Sequence, residues 1–240
     1  METKIVDDYQ ALSELAANEV ISLIKEIPTA VICLPSGNTP LGMCQGIVAK
    51  VKKEKVDVSR CSFIGLDEWI GVPKENAGSC AFFFYHHLLK PLDILDEQIF
   101  LFDALSNDLE SECRKMDNII AEKNGIDLMI VGIGLNGHIG FNEPGTAFNL
   151  LSHVITLHKT TTTVGQKYFS ETITLSKGIT LGLAHLMRAK KVILIANGID
   201  KSSVIAQTLK DGVSEMVPAS FLQIHKNSLF ILDKEAASLL

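Results

Sequence analysis

The sequence lacks the features of several large protein classes. No apolar run approaches the roughly 20 residues that a membrane span requires. The first ten residues, METKIVDDYQ, are polar and acidic and do not resemble the basic start of a signal peptide. The five cysteines are an odd number without C-x-x-C spacing, which argues against a disulfide framework. We therefore expect a cytoplasmic protein with reduced, buried thiols and no membrane segment.

An excess of positive charge is also absent. The 240 residues include 22 Lys and Arg against 28 Asp and Glu, which gives a formal net charge of -6. Nucleic acids and anionic membranes both require a basic face on the protein that binds them. The composition therefore predicts no nucleic-acid partner and no membrane partner, and an anionic ligand would need a few locally placed cations. A homo-oligomer is compatible with the sequence, since hydrophobicity alone does not separate core from interface.

Several catalytic motifs are missing. No loop ends in the G-K-[ST] of a P-loop, and no G-x-S-x-G marks a nucleophilic serine. His86 and His87 are adjacent on a predicted helix, where their side chains point about 100° apart and cannot share one metal ion. The sequence therefore predicts no metal site and no cofactor, and it argues against nucleotide triphosphate hydrolysis and acyl-enzyme chemistry.

The chain does contain a regular alternation of strand and helix patterns. Continuous apolar runs predict buried strands at TAVICL (29–34), CSFIGL (61–66), DLMIVGIG (127–134), KVILIAN (191–197) and SLFILD (228–233). Helical spacing is found from Tyr9 to just before Pro28 and at 41–51, 78–89, 107–124, 178–188, 200–210 and 234–239. This pattern predicts one α/β domain over residues 1–240, with a doubly wound, mostly parallel, Rossmann-like sheet and helices on both faces. Ligands of such sheets bind beyond the carboxyl ends of the strands.

The loop VGIGLNGHIGFNEPG (131–145) follows one of these strands. Its glycines fit the dinucleotide pattern G-x-G-x-x-G, but no helix can begin among them and no acidic residue occurs between Glu143 and Glu171. We interpret it instead as a catalytic loop on which Asn136, His138, Asn142 and Glu143 converge. Imidazole and carboxylate groups suit proton transfer. The alternative is a structural His138 beside a Glu143 that only caps a turn.

A second loop, LDEWIG, places Asp67 and Glu68 at the end of the strand 62–66. Adjacent side chains at a strand end point to opposite sides, so one carboxylate can face a ligand while the other packs or pairs. A desolvated Asp has a raised pKa and can serve as a base toward a C–H bond. The alternative is a capping acid beside a Trp69 that fills the core.

A third loop, PSGNTP, joins the strand 29–34 to a helix. Ser36, Gly37, Asn38 and Thr39 offer hydroxyl and backbone N–H donors at a helix N-terminus, which favours a phosphate group. Lys201, which follows another strand, is a candidate counter-charge for the same anion. The alternative is an ordinary capped helix start and a surface lysine.

The motifs LPSGNTP, FIGLDEW and above all GIGLNGHIGFNEPG resemble the hexosamine-6-phosphate deaminase/isomerase family. The match holds in order and spacing over essentially the whole chain. AVICL, VDVS and PASFLQIH are most similar to the galactosamine-6-phosphate isomerase branch. The resemblance implies a small-molecule sugar phosphate as substrate.

It also implies a mechanism. His138, aided by Glu143 and Asn136, would open the sugar ring, and Asp67 would move the C2 proton to C1, which leaves a ketose 6-phosphate and ammonia. The phosphate would bind the loop Ser36–Thr39 together with Lys201 and Lys167, although the best known members of the family have Arg in place of Lys167. Alternatives are a 6-phosphogluconolactonase, which shares the fold but lacks F-N-E-P, and a non-catalytic sugar-phosphate sensor.

Two departures from the family pattern lead to expectations. Some members have Asp at position 136, and an amide can orient His138 but cannot stabilise an imidazolium by charge. Allosteric members carry basic residues after the E-P motif, where this chain has SHVITLH (152–158), so we expect no activation by an acetylated amino-sugar phosphate. A lid is predicted around Lys159–Thr163, which a β-rich surface segment would also match.

Overall fold

The computed structural model describes all residues 1–240, and seven parallel strands form its central sheet. The sheet order is β1, β10, β9, β6, β2, β3, β5, and every neighbouring pair is parallel. These strands span Glu2–Val6 (β1), Val31–Leu34 (β2), Ser62–Gly65 (β3), Ile99–Phe100 (β5), Leu128–Val131 (β6), Lys191–Ala196 (β9) and Ser228–Asp233 (β10). The chain winds outward from β2 in one direction and from β6 in the other. The reversal between β2 and β6 is where a parallel sheet opens a crevice for ligands.

Helices cover both faces of this sheet. They span Tyr9–Glu26 (α1), Asn38–Glu54 (α2), Cys80–Phe84 (α3, continued by a π-helical turn Tyr85–Leu89), Leu109–Glu122 (α4), Lys159–Gly165 (α5), Leu183–Arg188 (α6) and Ser202–Lys210 (α7). Short 3-10 turns lie at Lys90–Leu92, Asp96–Gln98, Gln166–Tyr168, Ile199–Lys201 and Pro218–Gln223. No helix of the protein combines the length and the apolar character needed to cross a bilayer.

Side-chain alternation along the strands divides the interior into two large cores. On β2, Ile32 and Leu34 pack with α1 and α2, whereas Val31 and Cys33 pack with α4, α6 and α7 on the other face. All four residues of β2 are buried, which explains why the strand has a continuous apolar run. The predicted α/β class, with a parallel sheet between two helical layers, is confirmed.

A second, antiparallel sheet stands beside the carboxyl ends of the main sheet. It has the order β4, β8, β7, with β4 at Asp67–Trp69, β7 at His153–Thr156 and β8 at Lys177–Thr180. Thr180 on β8 is paired with Asp67 on one side and with His153 on the other. Its hydroxyl also accepts a hydrogen bond of 3.2 Å from the Phe141 backbone N–H, so β8 joins β4 to the loop that follows β6.

Two predicted helices are wrong. The helix expected at 178–188 is replaced by β8 and the shorter α6, because backbone pairing with β4 and β7 overrides local propensity and because Gly178 makes room for the Phe141 ring. The helix expected at 234–239 is a series of turns, held by the Asp233 carboxylate, which accepts from the Ala236 N–H at 2.7 Å. The segment Lys159–Thr163 is helical, so the alternative of a β-rich surface strand is wrong as well.

Candidate active site

Three loops and the helices α3 and α5 enclose a cavity of about 380 Å³ at the carboxyl ends of β2, β3 and β6. The predicted residues among its walls are Ser36, Gly37, Asn38, Thr39, Asp67, His138, Lys167 and Lys201. The volume falls at the lower end of the range for small-molecule sites, about 300–1,000 Å³. The structure therefore brings the Asp67 carboxylate, the His138 imidazole and the loop Ser36–Thr39 (the anion loop), which lie far apart in the sequence, to one cavity.

The anion loop ends β2 and begins α2. Gly37 adopts a φ of 111°, a conformation that favours glycine, and no side chain caps the first turn of α2. This turn lies at the cavity wall, where its N–H groups and the positive end of the helix dipole favour an anion. Thr39 is fixed by a hydrogen bond of 2.6 Å to Asn197 Oδ1.

Lys201 and Lys167 supply the positive charge near this loop. Lys201 Nζ donates to the carbonyl oxygen of Ile133 at 2.6 Å, which fixes its position at the cavity wall. Burial, and then repulsion from Lys167, lower the pKa of Lys201 to about 8, so that it remains mostly charged at neutral pH. Lys167 is exposed and lies 5.0 Å over the ring of Tyr168.

Asp67 and Glu68 have different roles, as the sequence predicts for adjacent residues at a strand end. Glu68 is 3% exposed, and its carboxylate accepts the backbone N–H groups of Trp69, Cys80 and Ala81, so it anchors the start of α3. Asp67 faces the cavity instead. Burial first, and then the Glu68 charge, raise the pKa of Asp67 to about 7, which suits a base that must accept and return a proton near neutral pH.

The loop Gly132–Gly145 brings His138 to the same cavity. A Cβ built on Gly140 would lie 3.4 Å from Asp67 Oδ2, which shows how closely this loop approaches the base. Gly134 packs against the face of the His138 ring without space for any side chain. No helix begins among these glycines, in agreement with the interpretation against a dinucleotide site.

The tautomer of His138 follows from its hydrogen bonds. The Glu143 carboxylate can only accept, so the Asn136 amide nitrogen donates to Glu143 Oε2 at 2.9 Å. Asn136 Oδ1 then faces His138 Nδ1 at 2.6 Å, and this nitrogen must carry the proton. Nε2 is therefore the unprotonated nitrogen of the ring. Asn136 separates the imidazole from Glu143, whose nearest oxygen lies 3.6 Å from Nδ1.

The charge state of His138 is set mainly by burial. Its side chain is 17% exposed. Burial lowers its pKa to about 4, the positive charges of Lys201 and His158 act in the same direction, and Glu143 opposes them. The imidazole is therefore neutral at neutral pH and can accept a proton through Nε2 before it passes that proton on.

Of the four residues predicted to converge on this loop, only His138 lines the cavity, Asn136 and Glu143 reach it through hydrogen bonds, and Asn142 has a structural role. Asn142 is 2% exposed and its amide donates to the carbonyl oxygens of Ile139 and Leu181, so it holds the loop together instead of facing the cavity. The wall residues that sequence reasoning missed include Cys80, Thr161 and Tyr168. Thr161 Oγ1 lies 3.3 Å from His138 Nδ1, and the Tyr168 hydroxyl lies against Gly37. Only Thr161 had a signal, because it belongs to the segment predicted as a lid.

Comparison with known proteins identifies the family of the chain. The model of the family described as glucosamine-6-phosphate isomerases/6-phosphogluconolactonase matches residues 7–231. The chain belongs to this family. A glucosamine-6-phosphate deaminase of Clostridium tetani is 41% identical over 99% of both chains. One of Thermoanaerobacter sp. (strain X514) is 38% identical over 100% of this chain and 95% of its own.

Solved structures of the glucosamine-6-phosphate isomerase/6-phosphogluconolactonase family have the same fold. A monomeric glucosamine-6-phosphate deaminase matches with a TM-score of 0.97 at 32% identity, over 100% of both chains. The 6-phosphogluconolactonase of Trypanosoma brucei matches with a TM-score of 0.80 at 22% identity, over 100% of this chain and 98% of its own, and shows the fold alone. The family expected from the three motifs is therefore confirmed.

Proposed function

We propose that this protein is an amino-sugar phosphate deaminase that converts glucosamine 6-phosphate and water to fructose 6-phosphate and ammonia, without a cofactor. The observation that carries the proposal is the single cavity shared by Asp67, His138 and the anion loop Ser36–Thr39. Residues 1–240 would act as one catalytic domain in the cytoplasm, either alone or in a homo-oligomer.

The first step would be ring opening. With the phosphate held by the anion loop, Lys201 and Lys167, His138 Nε2 accepts the proton of the C1 hydroxyl and delivers it to the ring oxygen. Asn136 keeps the ring in the required tautomer, and Glu143 holds Asn136 in turn. This step needs an imidazole that is neutral at the start, in keeping with the lowered pKa of His138.

The second step would move a proton between carbons. Asp67 removes the C2 proton of the open aldehyde, which is acidified by the neighbouring carbonyl, and an enolamine forms. The proton returns at C1, and water then hydrolyses the resulting C2 imine to the ketose and ammonia. A carboxylate with a pKa of about 7 can both remove and return this proton at neutral pH.

The choice between the two C4 epimers is part of the proposal. The segments AVICL, VDVS and PASFLQIH led us to expect galactosamine 6-phosphate. The relatives described above are named for glucosamine 6-phosphate, and this favours glucosamine for the present chain. The test is ammonia release from both sugar phosphates, measured side by side, with lactone hydrolysis of 6-phosphogluconolactone in parallel.

We expect ammonia release to be faster with glucosamine 6-phosphate. Ammonia release from galactosamine 6-phosphate alone would show that the substrate is the other C4 epimer. Lactone hydrolysis without ammonia release would refute the proposal of a deaminase. Binding of either sugar phosphate without any turnover would indicate a sensor instead.

Asp67→Asn tests the role of the base directly. The variant should lose turnover by about 1,000-fold or more, since an amide cannot accept the C2 proton, and should still bind inorganic phosphate at the anion loop. Asp211→Asn, at an exposed carboxylate that does not line the cavity, serves as the matched control and should retain activity. Turnover retained in Asp67→Asn would remove Asp67 from this role.

A further inference from the structure

Cys80 lies between the anion loop and the base. It is the first residue of α3, is 4% exposed and forms part of the cavity wall. Its Sγ atom is 3.0 Å from Ser36 Oγ and 3.5 Å from Asp67 Oδ1. One thiol therefore connects a residue of the loop proposed to bind phosphate with the carboxylate proposed to move the C2 proton.

The direction of these hydrogen bonds follows from the groups involved. An ionised carboxylate can only accept, so the Cys80 S–H donates to Asp67 and the sulfur accepts the Ser36 hydroxyl. Burial, followed by the negative charges of Glu68 and Asp67, raises the pKa of Cys80 well above its usual range. Cys80 therefore stays a neutral thiol and acts as a hydrogen-bond donor, not as a nucleophile.

The position of the sulfur is fixed by the backbone. The Cys80 N–H donates to Glu68 Oε1 at 2.9 Å, and the neighbouring Ala81 N–H donates to Glu68 Oε2 at 2.8 Å. Glu68 thus anchors the start of α3 while the thiol contacts Asp67, the residue before Glu68. A serine at position 80 would keep a donor, but its shorter side chain would reach the two partners less well, and an alanine would reach neither.

We propose that Cys80 is a positioning residue that orients the Asp67 carboxylate and connects it to Ser36, so that occupation of the anion loop changes the hydrogen bonding of the base. When a phosphate group binds, the Ser36 hydroxyl turns to a phosphate oxygen and the sulfur loses its donor. A thiol that no longer accepts a hydrogen bond is itself a weaker donor, because chains of hydrogen bonds polarise one another. Substrate binding would in this way make Asp67 a stronger base. The inference rests on the proposed function of the loop and of Asp67.

Infrared spectroscopy tests the connection without any turnover. The S–H stretching band of Cys80, isolated as the difference between the wild type and Cys80→Ala, should shift when inorganic phosphate is added. The same band in Ser36→Ala, isolated against Ser36→Ala/Cys80→Ala, should already lie near the phosphate-bound position and should not move. A wild-type band unaffected by saturating phosphate would overturn the proposal, whether or not the protein is a deaminase.

Kinetics test the positioning role. In Cys80→Ala, kcat should fall about tenfold while KM changes less than about twofold, since the substrate contacts remain. The acidic limb of the pH profile of kcat/KM should move to higher pH, because Asp67 loses a donor that favours its charged form, and Cys80→Ser should restore part of both effects. Cys44→Ala, which removes a buried thiol of α2 that does not line the cavity, is the control for cavity creation. If both alanine variants lose stability and neither shifts the pH limb, Cys80 has only a packing role.

Discussion

Gly134→Ala is the substitution that most directly tests how the loop Gly132–Gly145 places its imidazole. A Cβ at position 134 would overlap the His138 ring at Cε1, Nδ1 and Nε2. Carbon atoms in contact are normally about 3.5–4.0 Å apart, so the ring must move by on the order of 1 Å. A misplacement of that size can cost about 100-fold in rate.

We expect kcat/KM of Gly134→Ala to fall about 100-fold in the ammonia-release assay, with little change in Tm, since the overlap is with a side chain at the cavity. The matched control is Gly132→Ala. Gly132 lies two residues earlier in the same loop and also lines the cavity, but a Cβ there meets nothing within 4 Å. If kcat/KM of Gly134→Ala is within threefold of that of Gly132→Ala, the contact between the backbone of Gly134 and the His138 ring does not control the reaction.

Three further predictions concern charge. Because the free-enzyme pKa of Asp67 is about 7, kcat/KM should fall about tenfold for each pH unit below that value, and a limb near pH 4 would contradict the burial of the base. Between about pH 4 and 7, Asp67 keeps its proton in the folded state but loses it in the unfolded state, so the free energy of unfolding falls as the pH rises. Asp67→Asn removes this effect and should raise Tm at pH 8 by a few °C. Asn136→Asp should raise the pKa of His138 from about 4, because a second carboxylate favours the imidazolium. NMR titration of the His138 ring would measure this pKa. An unchanged value would contradict the influence of position 136 on His138.

The parts of the fold that the sequence predicts are those with a local signal. β2 and β6 are continuous apolar runs because both of their faces are buried, and both strands lie within the predicted runs, although β6 ends three residues before the run 127–134 does. β4 has three residues and β7 has four, too few to show a periodic pattern, and they form only because β8 pairs with both. The edge strand β1 pairs with β10 alone, and most of it is too exposed to have an apolar run.

Some residues of the site could likewise be predicted from the sequence, and others could not. Asp67 and His138 follow predicted strands directly, so their positions at one edge of the sheet could be inferred from the order of the elements. The roles of Glu68 and Asn142 depend on which backbone groups surround them, and this is not encoded locally. Cys80 was interpreted only as a small buried residue, because its partner Ser36 is 44 positions away in the chain.

Thr180 links the backbone of Asp67 to the loop that carries His138. This residue pairs with Asp67 in the small sheet, and its hydroxyl accepts the Phe141 N–H from the loop that holds His138. The backbone of Asp67 and the loop that carries His138 are thus joined through a short ladder, whereas the core packed against α1 and α2 contains no residue of that ladder. Conservative repacking of that core can therefore be used to raise or lower the melting temperature of the protein while the alignment of Asp67 and His138 is kept.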